Sequence, residues 1–388
     1  MHKSVCLSDN EYSVKVVADL QEFEKLRNVW DNLAENHGSY FPFLCFDWFK
    51  VWLGHFLKDD KLFILLLYKN GEIEMIAPFL LKEERFKGIN IRKIELIGNV
   101  YSPIGYVLFR EHNYEERKKN LNYIFLYFRD AYKLWDVIDL QPIPEENDAL
   151  LYLSEIVKNS RLKNKEYFCF GNWYSEGITY SSDLYFKNRS RNFRAVIRKN
   201  FNKAKRLGNI EFRVITDSME IQTHMNIYLE VYSKSWKKRE ALGYDFIMDW
   251  IKKTAQKGWL RLGLVLLDQV AIGMGFAIVY GKCAYFQKTA YDEKYEEIGP
   301  GTIWYTEMIR HVIDIDNVHI IDFLRGDDEH KKRWLEKRRE RKGVLIFNKN
   351  AKGQFLNFLI QNILPAINNH NSLRAFKNLV VHKLLKTN

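Results

Sequence analysis

The most informative part of the sequence lies near its C-terminus and reads His319-Ile320-Ile321-Asp322-Phe323-Leu324-Arg325-Gly326-Asp327-Asp328-Glu329-His330-Lys331-Lys332-Arg333-Trp334. A β-branched, apolar run ends here abruptly in Asp, Arg, Gly and a group of charged residues. This pattern is typical of a buried strand that delivers polar side chains into a cleft. Because α/β proteins commonly place binding and catalytic groups at strand ends, we expect functional side chains here.

A second motif, Gly299-Pro300-Gly301-Thr302, precedes this strand by about twenty residues. Pro300 suits the first position of a helix, where its missing N–H is not needed. Glycines let backbone N–H groups approach a phosphate closely, and a helix N-terminus adds free N–H groups and the positive end of its dipole. The motif therefore predicts a phosphate-binding turn formed by residues 299–302, although a Gly-Pro-Gly turn alone is equally consistent with an ordinary turn.

Taken together, these motifs resemble the CelD/BcsL-like branch of the GNAT acyltransferases. That branch shows a Tyr-Asp pair, a Pro-Gly turn that opens a helix, and a strand that ends in Asp-Phe-x-Arg-Gly-Asp, followed by an aromatic-Lys pair and a Trp. The matching residues are Tyr291-Asp292, Pro300-Gly301, Asp322 to Asp327, Lys331 and Trp334. This sequence departs from the pattern of the branch at position 330, where it has His and the branch would have Tyr. The match is good over residues 180–335 and loose over the N-terminal half.

The resemblance implies acyl-CoA as co-substrate and no metal. Acyl transfer from a thioester requires a grip on the donor's diphosphate, a polarised carbonyl group, and proton transfer at the nucleophile and the leaving thiolate. The turn at residues 299–302 would bind the diphosphate of the donor. Backbone N–H groups of the strand 285–289 would polarise the carbonyl, because GNAT enzymes splay two strands apart at this place.

Three side chains are candidates for catalysis: Asp322, His330 and Tyr291. Imidazole titrates near neutrality, and many GNAT enzymes carry a Tyr in the segment of His330 that protonates the thiolate. A histidine in a charged helix is otherwise simply solvated. Asp322 would point inward, which is costly without a purpose, so it acts either as the base or as the ion-pair partner of Arg325.

Five further residues are expected to contact the acceptor: Asp292, Arg325, Asp327, Lys331 and Trp334. Arg325 offers bidentate geometry and Lys331 a point charge for an anionic group. Trp334 would either stack on a sugar ring or pack in the core. Asp327 alternatively is an acid at a helix start, where it favours the helix dipole.

The chain has 388 residues, more than one core usually supports, so two domains are expected. Helix, hairpin, helix and strand patterns follow the same order in both halves, which predicts an α/β fold with a mixed sheet and two tandem GNAT-like units, as in the FemABX transferases. Residues 1–180 would form a degenerate first unit, since no Pro-Gly turn precedes a helix there. Residues 181–350 would form the unit that binds acyl-CoA. Residues 351–388 would form a helical tail that either packs on the domain or lies on a membrane surface.

A basic linking helix is predicted at residues 187–207, because residues 187–206 contain nine Lys or Arg and no acid. Its apolar positions follow helical spacing, with Ser190 and Gly208 as caps. The basic face is either merely solvated, or binds cofactor phosphates or substrate through residues such as Arg194 and Arg198, or contacts nucleic acid.

The net charge of +11 favours an anionic partner. The four cysteines lie far apart without metal-binding spacing, which is typical of reduced thiols. A signal peptide or membrane-spanning stretch is not indicated. We therefore expect a cytoplasmic protein, with the basic C-terminal helix as an optional peripheral contact at the inner face of the membrane.

The resulting prediction is an acyltransferase that moves an acyl group from acyl-CoA to an amine or hydroxyl of a sugar, glycan or cell-envelope precursor, by direct attack of the acceptor. Two alternatives remain open. One is a FemABX-like transferase that uses aminoacyl-tRNA and docks it on the basic helix, with strongly salt-dependent affinity. The other is a non-catalytic scaffold in polysaccharide assembly.

Overall fold

The computed structural model describes residues 5–6, 11–35, 41–86, 88–110, 113–145, 149–236 and 243–363. The chain divides into two compact units. The first comprises Met1–Phe170 and Glu340–Asn388, and the second comprises Gly171–Arg339. The boundary therefore falls after Phe170, whereas the sequence predicted it after residue 180, and the chain returns to the first unit at Glu340.

The helices and strands alternate as the sequence patterns indicate. The strands are β1 (Val5–Cys6), β2 (Tyr12–Val17), β3 (Lys61–Lys69), β4 (Glu72–Phe86), β5 (Ile89–Leu96), β6 (Leu108–Phe109), β7 (Val137–Pro144), β8 (Lys163–Ser175), β9 (Ile210–Ile215), β10 (Leu260–Leu267), β11 (Val270–Tyr280), β12 (Cys283–Tyr291), β13 (Ile320–Arg325) and β14 (Lys337–Phe347). The helices are α1 (Leu20–Glu24), α2 (Arg27–Glu35), α3 (Phe46–Phe56), α4 (Tyr114–Asp130), α5 (Ala149–Asn159), α6 (Ser182–Lys187), α7 (Arg191–Leu207), α8 (Ser218–Ser233), α9 (Tyr244–Gln256), α10 (Pro300–Asp314), α11 (Glu329–Trp334) and α12 (Ala351–Phe358).

The first unit contains the strand order β1-β2-β3-β4-β5-β7-β14. Its neighbouring strands are antiparallel except for β5 and β7, which are parallel. The β3–β4 hairpin turns at Asn70-Gly71, where both residues have positive φ angles of 51° and 87°. Asn-Gly tolerates this backbone geometry, which is why the sequence predicts the turn.

The second unit contains the strand order β8-β13-β12-β11-β10-β9. Here β12 and β13 are the parallel pair, and the neighbouring pairs are antiparallel. The β10–β11 hairpin turns at Asp268-Gln269, as predicted. The core on one side of this sheet joins side chains of α7, α10 and α11 to strand residues, including Trp304, Ile309, Ile321, Phe323 and Trp334.

Both units repeat the same strand arrangement. In each, the parallel pair is in register for only three residue pairs, which end at Glu95 opposite Asp139 and at Tyr285 opposite Asp322. Beyond these pairs, β5 and β7 no longer form ladder hydrogen bonds with each other, and neither do β12 and β13, although the strands continue. Each unit therefore contains a gap between a splayed pair of parallel strands.

The start of the predicted C-terminal tail packs on the first unit. Leu356, Leu359 and Ile360 join a buried apolar cluster with strand residues such as Ile91 and Phe347. This part of the tail therefore lies on the domain, as one of the two predictions had it. Residues 364–388, with the rest of the predicted tail, lie outside the described residues. Within the described ranges, every helix is too short or too polar to cross a membrane.

Candidate functional site

The Gly-Pro-Gly turn opens α10 in the second unit. Gly299 has the left-handed φ of 64° that glycine tolerates, and Pro300 occupies the first helical position. The N–H of Thr302 donates to the carbonyl of Gly299 at 2.9 Å, so this amide of the predicted phosphate site is already bonded. The N–H of Gly301 has no acceptor within the described part of the chain. Gly301 therefore presents the open amide of the turn.

Tyr291 lies beside this turn. Its ring carbon Cδ1 would be 3.6 Å from a Cβ added to Gly301. Burial raises the pKa of Tyr291 and the charge of Glu296 raises it further, while a hydrogen bond from the indole of Trp236 opposes the shift. The structure thus places Tyr291, predicted as a catalytic residue, at the edge of the predicted cofactor site.

The basic helix α7 passes across the same turn. Its N-terminus is capped by Ser190, whose hydroxyl accepts from the N–H of Phe193, and Gly208 follows its last residue, as predicted. The side chain of Asn200 lies so close to Gly299 that no Cβ would fit between them. Lys203 donates to the carbonyl of Glu297 at 3.0 Å. The middle of α7 therefore covers one side of the turn.

Arg194 and Arg198 are exposed on α7, but they do not face the turn. At about 100° per residue, both lie more than about 100° around the helix axis from Asn200 and Lys203. The prediction that these two arginines bind phosphate at the turn is therefore corrected. Lys203, which the sequence did not single out, is a basic residue of α7 that contacts Glu297 just before the turn.

The predicted splay of two strands is present between β12 and β13. On the α10 side of the gap, the rings of Phe286 and Phe323 are 4.8 Å apart, and Tyr305 lies 5.0 Å from Phe323. Burial raises the pKa of Tyr305, whose hydroxyl is hydrogen-bonded to Thr289 of β12. Tyr305 was missed at the level of sequence; its position one helical turn after Gly301 is the signal that could have found it.

His330 lies at the same end of the gap. It is exposed on α11, and its ring centroid is 5.3 Å from that of Tyr305. Its Nε2 accepts a hydrogen bond of 3.3 Å from the indole of Trp334. His330 and Tyr305 together therefore border the gap with two groups that can exchange a proton.

Trp334 itself is a core residue with 0% exposure. Its ring packs against Phe193 at 4.7 Å and Tyr305 at 5.3 Å. The prediction that it stacks on a sugar ring is therefore wrong, because no face of the indole is open to a ligand.

Asp322 is buried, with 1% exposure, and points away from the α10 side on which Ile321 and Phe323 pack. Its Oδ1 accepts from Asn172 at 2.8 Å and from the N–H of Leu324 at 2.6 Å, and its Oδ2 accepts from Arg339. The predicted ion pair with Arg325 is wrong, since Arg339 of β14 takes that place. Three donors on one buried carboxylate favour a positioning role.

These contacts fix an unusual backbone at the end of β13. Leu324 has a φ of 53°, a left-handed conformation that is strained for a residue with a branched side chain. Asn172 donates to the carbonyl of Leu324 at 3.0 Å, and Lys331 donates to the carbonyls of Phe323 and Arg325. Lys331, predicted to bind an anionic acceptor, instead secures the backbone. The half-buried Arg325 stays a candidate for the acceptor.

The two remaining predicted acids are also engaged in the fold. The carboxylate of Asp327 accepts from the guanidinium of Arg338 and from the indole of Trp173, and the hydrogen bonds to Arg338 lower the pKa of Asp327. Asp292 caps the 3₁₀ helix Glu293–Ile298 by accepting from the N–H of Lys294. These oxygens stabilise the loops on either side of the gap, and the assignment of both residues to acceptor binding stays a prediction.

In the first unit the equivalent gap is filled by the chain itself. Residues 102–107 are buried, and the N–H of Gly105 donates to the carbonyl of Pro142 at 2.7 Å. A Cβ at Gly105 would lie 2.6 Å from the carbonyl oxygen of Gln141 and 3.3 Å from Leu96. The segment therefore lies between β5 and β7, where β12 and β13 leave their gap.

The helix after that gap, α4, also lacks an open N-terminus. The side chain of Asn113 accepts from the N–H groups of Glu115 and Glu116, which place two acids in the first turn. Capped amides and negative charge both oppose phosphate binding.

Comparison with known proteins places the family match in the second unit. Residues 191–332 match the family described as acetyltransferase (GNAT) domain. Among solved structures, the chain is similar to FemX, with a TM-score of 0.59 and 12% identity over 85% of this chain and 98% of that one. It is also similar to L-PGS from Bacillus licheniformis, with a TM-score of 0.52 and 15% identity over 88% and 96% of the two chains.

A conserved protein of unknown function from Bacteroides thetaiotaomicron is a third similar structure, with a TM-score of 0.52 and 12% identity over 90% of this chain and 100% of that one. No curated protein sequence matches the chain. At these identities the structural likenesses show the fold. The predicted α/β architecture of two tandem GNAT-like units is confirmed, and the match to the acetyltransferase (GNAT) domain family covers residues 191–332.

Proposed function

We propose that this chain, with its GNAT-type domain at residues 191–332, transfers an acyl group from acyl-CoA to an amine or hydroxyl of a sugar, glycan or cell-envelope precursor. The observation that carries the proposal is the gap between β12 and β13, which opens beside the Gly299–Gly301 turn. A splayed strand pair and an open helix N-terminus are the two features that a thioester arm and its diphosphate require.

The residues at the turn fit a diphosphate in part. The open N–H of Gly301 and the N-terminus of α10 attract an anion, and Lys203 adds positive charge from α7. Glu296 and Glu297 are exposed beside the turn, and their negative charges oppose the binding of an anion. The donor would supply an activated thioester carbonyl, and Gly301 and Lys203 would hold its phosphates.

The proton transfers are assigned to residues that border the gap. The acceptor's nitrogen or oxygen forms a bond to the acyl carbon, the carbon–sulfur bond breaks, and the sulfur takes up a proton. His330 would give that proton, and the position of its ring at the gap beside Tyr305 supports this role. Burial raises the pKa of the Cys283 thiol well above its usual range, which argues against a covalent relay through this cysteine.

The acceptor is proposed from charge and from the resemblance of residues 322–327 to the CelD/BcsL-like branch. A net charge of +11 favours an anionic acceptor, such as a phosphorylated sugar or a precursor of a cell-envelope polysaccharide. Arg325, at the end of β13, is the proposed contact for its charged group.

A second candidate function is transfer from an aminoacyl-tRNA, and the exposed face of α7 favours it. Six cations on this face are exposed, and no ion pair with them occurs among the described residues: Arg191, Arg194, Arg198, Lys199, Lys205 and Arg206. Such a face attracts a phosphate backbone, and the resulting affinity falls steeply with salt.

Calorimetry with acetyl-CoA and longer acyl-CoAs tests the first proposal. We expect roughly micromolar binding by the wild type and none by Gly301→Trp, whose indole would occupy the phosphate site. Gly301→Ala is the matched control, since a Cβ there meets its nearest atom at 3.6 Å and is tolerated. A wild type that binds no acyl-CoA would refute the proposal, and salt-dependent binding of aminoacyl-tRNA would then support the second candidate.

A further inference from the structure

We infer that the side-chain amide of Gln287 donates a hydrogen bond to the carbonyl oxygen of the bound thioester, an inference that rests on the proposed use of acyl-CoA. Gln287 lies on β12, two residues beyond the last pair of β12 and β13, which is Tyr285 opposite Asp322. At about 3.3 Å per residue, Gln287 borders the strand gap about 7 Å past that pair. This is the level at which the proposed thioester would enter the sheet.

The amide nitrogen of Gln287 is a buried donor without an acceptor. Its Nε2 is shielded from solvent, and no hydrogen-bond partner for it occurs in the part of the chain that the structure describes. Such a donor destabilises a fold, so proteins rarely keep one unless a ligand or a water molecule completes its bonding. A ligand that brings a carbonyl oxygen into the gap would supply the missing acceptor.

A β-bulge interrupts β12 at this residue. The register between β11 and β12 shifts here, so that one residue of β11, Phe276, lies opposite two residues of β12, Gln287 and Lys288. Bulges are frequent next to active sites, because the extra residue bends the strand and changes the direction of a side chain. The bulge at Gln287 therefore coincides with the start of the strand gap.

The bulge also decides on which face of the sheet Gln287 lies. The ring of Phe286 packs 5.7 Å from that of Trp304 on α10. A Cβ added to Gly275 would lie 2.7 Å from Thr289 and 2.8 Å from Trp304, so Thr289 lies on this face as well. Residues three positions apart would lie on opposite faces of a regular strand, which means that the bulge shifts the alternation. Gln287, directly after Phe286, therefore lies on the face away from α10.

Asp322, the acid on that same face, is not the acceptor for this amide. Its carboxylate already accepts from Asn172, the N–H of Leu324 and Arg339. An uncharged amide donor suits a thioester carbonyl, whose oxygen is neutral in the bound donor and gains negative charge as the acceptor attacks. The hydrogen bond from Gln287 would therefore strengthen as the reaction proceeds.

Calorimetry with two ligands that differ at one oxygen tests this inference. Acetyl-CoA carries the thioester carbonyl, whereas S-ethyl-CoA has a methylene group in its place. Gln287→Met keeps the length of the side chain and removes its amide donor. We expect this variant to bind acetyl-CoA about three- to tenfold more weakly than the wild type does, and to bind S-ethyl-CoA with unchanged affinity.

Infrared spectroscopy of bound acetyl-CoA, labelled with ¹³C at the carbonyl, reports on the same oxygen. Because a hydrogen bond weakens the C=O bond, we expect its stretching frequency to fall on binding to the wild type and to fall less on binding to Gln287→Met. Gln287→Glu is a second variant, since its ionised carboxylate has the same size but cannot donate, and it should show the same loss. Gln256→Met is the control, because Gln256 is an exposed residue of α9.

The outcomes separate this inference from the proposed function. Equal weakening of both ligands in Gln287→Met would give the residue a structural role and overturn the hydrogen bond to the carbonyl, while acyl-CoA binding stands. A carbonyl frequency that is the same in the wild type and in both Gln287 variants would assign the oxygen to other donors and would also overturn it. A wild type that binds neither ligand would overturn the proposed function and this inference with it.

Discussion

His330 is the side chain on which proton transfer to the thiolate is proposed to depend. We expect His330→Phe to lower turnover by about 10²- to 10⁴-fold, because the general acid is removed together with the acceptor of the Trp334 indole. The affinity for acyl-CoA should stay within about twofold, since the phenyl ring retains the contact with Tyr305. Steady-state kinetics combined with calorimetry would measure both quantities.

Lys332→Met is the matched control for this variant, because Lys332 is an exposed residue of the same helix α11. Its turnover should equal that of the wild type. Wild-type turnover in His330→Phe would mean that His330 is a bystander and that the leaving thiolate takes its proton from another group.

The contacts of Asp322 show which properties of a single residue the sequence reveals. Its burial follows from its place in a β-branched run, and the sequence predicts it. Its partners do not follow, since Asn172 lies 150 residues earlier and Arg339 lies 17 residues later. The left-handed backbone of Leu324 is equally hidden, because leucine has no preference for that conformation and distant donors impose it.

Individual elements are predictable where their signal is local. Asn70-Gly71 and Asp268-Gln269 mark two hairpins because their residues tolerate positive φ angles, and both turns occur as predicted. Ser190 likewise predicts the start of α7. The direction in which α7 turns its arginines depends on its packing against Gly299, which no local pattern reveals.

Asp136 connects three elements of the first unit and makes their stability testable. It has 0% exposure and accepts from the backbone and the guanidinium of Arg92 on β5 and from Asn350, which precedes α12. We expect Asp136→Ala to lower the free energy of unfolding by about 1–3 kcal/mol, because the backbone and guanidinium of Arg92 and the amide of Asn350 lose a buried acceptor. Urea unfolding followed by circular dichroism would measure it.

Asp130→Asn is the control for this variant. Asp130 also pairs with an arginine, Arg129, but both side chains are more than half exposed. Water and salt screen such a pair, so the change should stay within about 1 kcal/mol. A loss in Asp136→Ala that is no larger than in this control would show that the buried carboxylate does not hold β5, β7 and α12 together.

The same carboxylate predicts a pH dependence. Burial alone would raise the pKa of Asp136, but hydrogen bonds from Arg92 and Asn350 lower it below the ordinary value of 3.8. Because the unfolded chain binds this proton more tightly, the stabilisation is complete above about pH 4 and is lost as the pH falls through the folded-state pKa. The stability difference between wild type and Asp136→Ala should therefore shrink below about pH 4. A difference that is constant from pH 7 to pH 3 would contradict the assignment.

At the level of the whole chain, the tandem architecture is predictable because both halves repeat the same order of patterns. The missing Pro-Gly turn predicts a degenerate first unit, and this stays a prediction. The sequence does not indicate that residues 102–107 enter the gap between β5 and β7. Likewise, β14 pairs with β7, two strands that lie far apart in sequence.

These differences between the units predict one donor per chain. In the first unit the strand gap holds its own backbone, and Asn113 and two glutamates occupy the N-terminus of α4. In the second unit the gap and the N–H of Gly301 are available. Native mass spectrometry with saturating acetyl-CoA should therefore show a single ligand on the wild type and none on Gly301→Trp.

Asn113→Ala is the informative control for this count. It uncaps two amides at α4, but Glu115 and Glu116 still repel phosphate and residues 102–107 still fill the gap, so the count should remain one. Two ligands on the wild type, or one remaining on Gly301→Trp, would mean that the first unit binds the donor as well. The segment around Gly105 would then have to leave the strand gap when the donor enters.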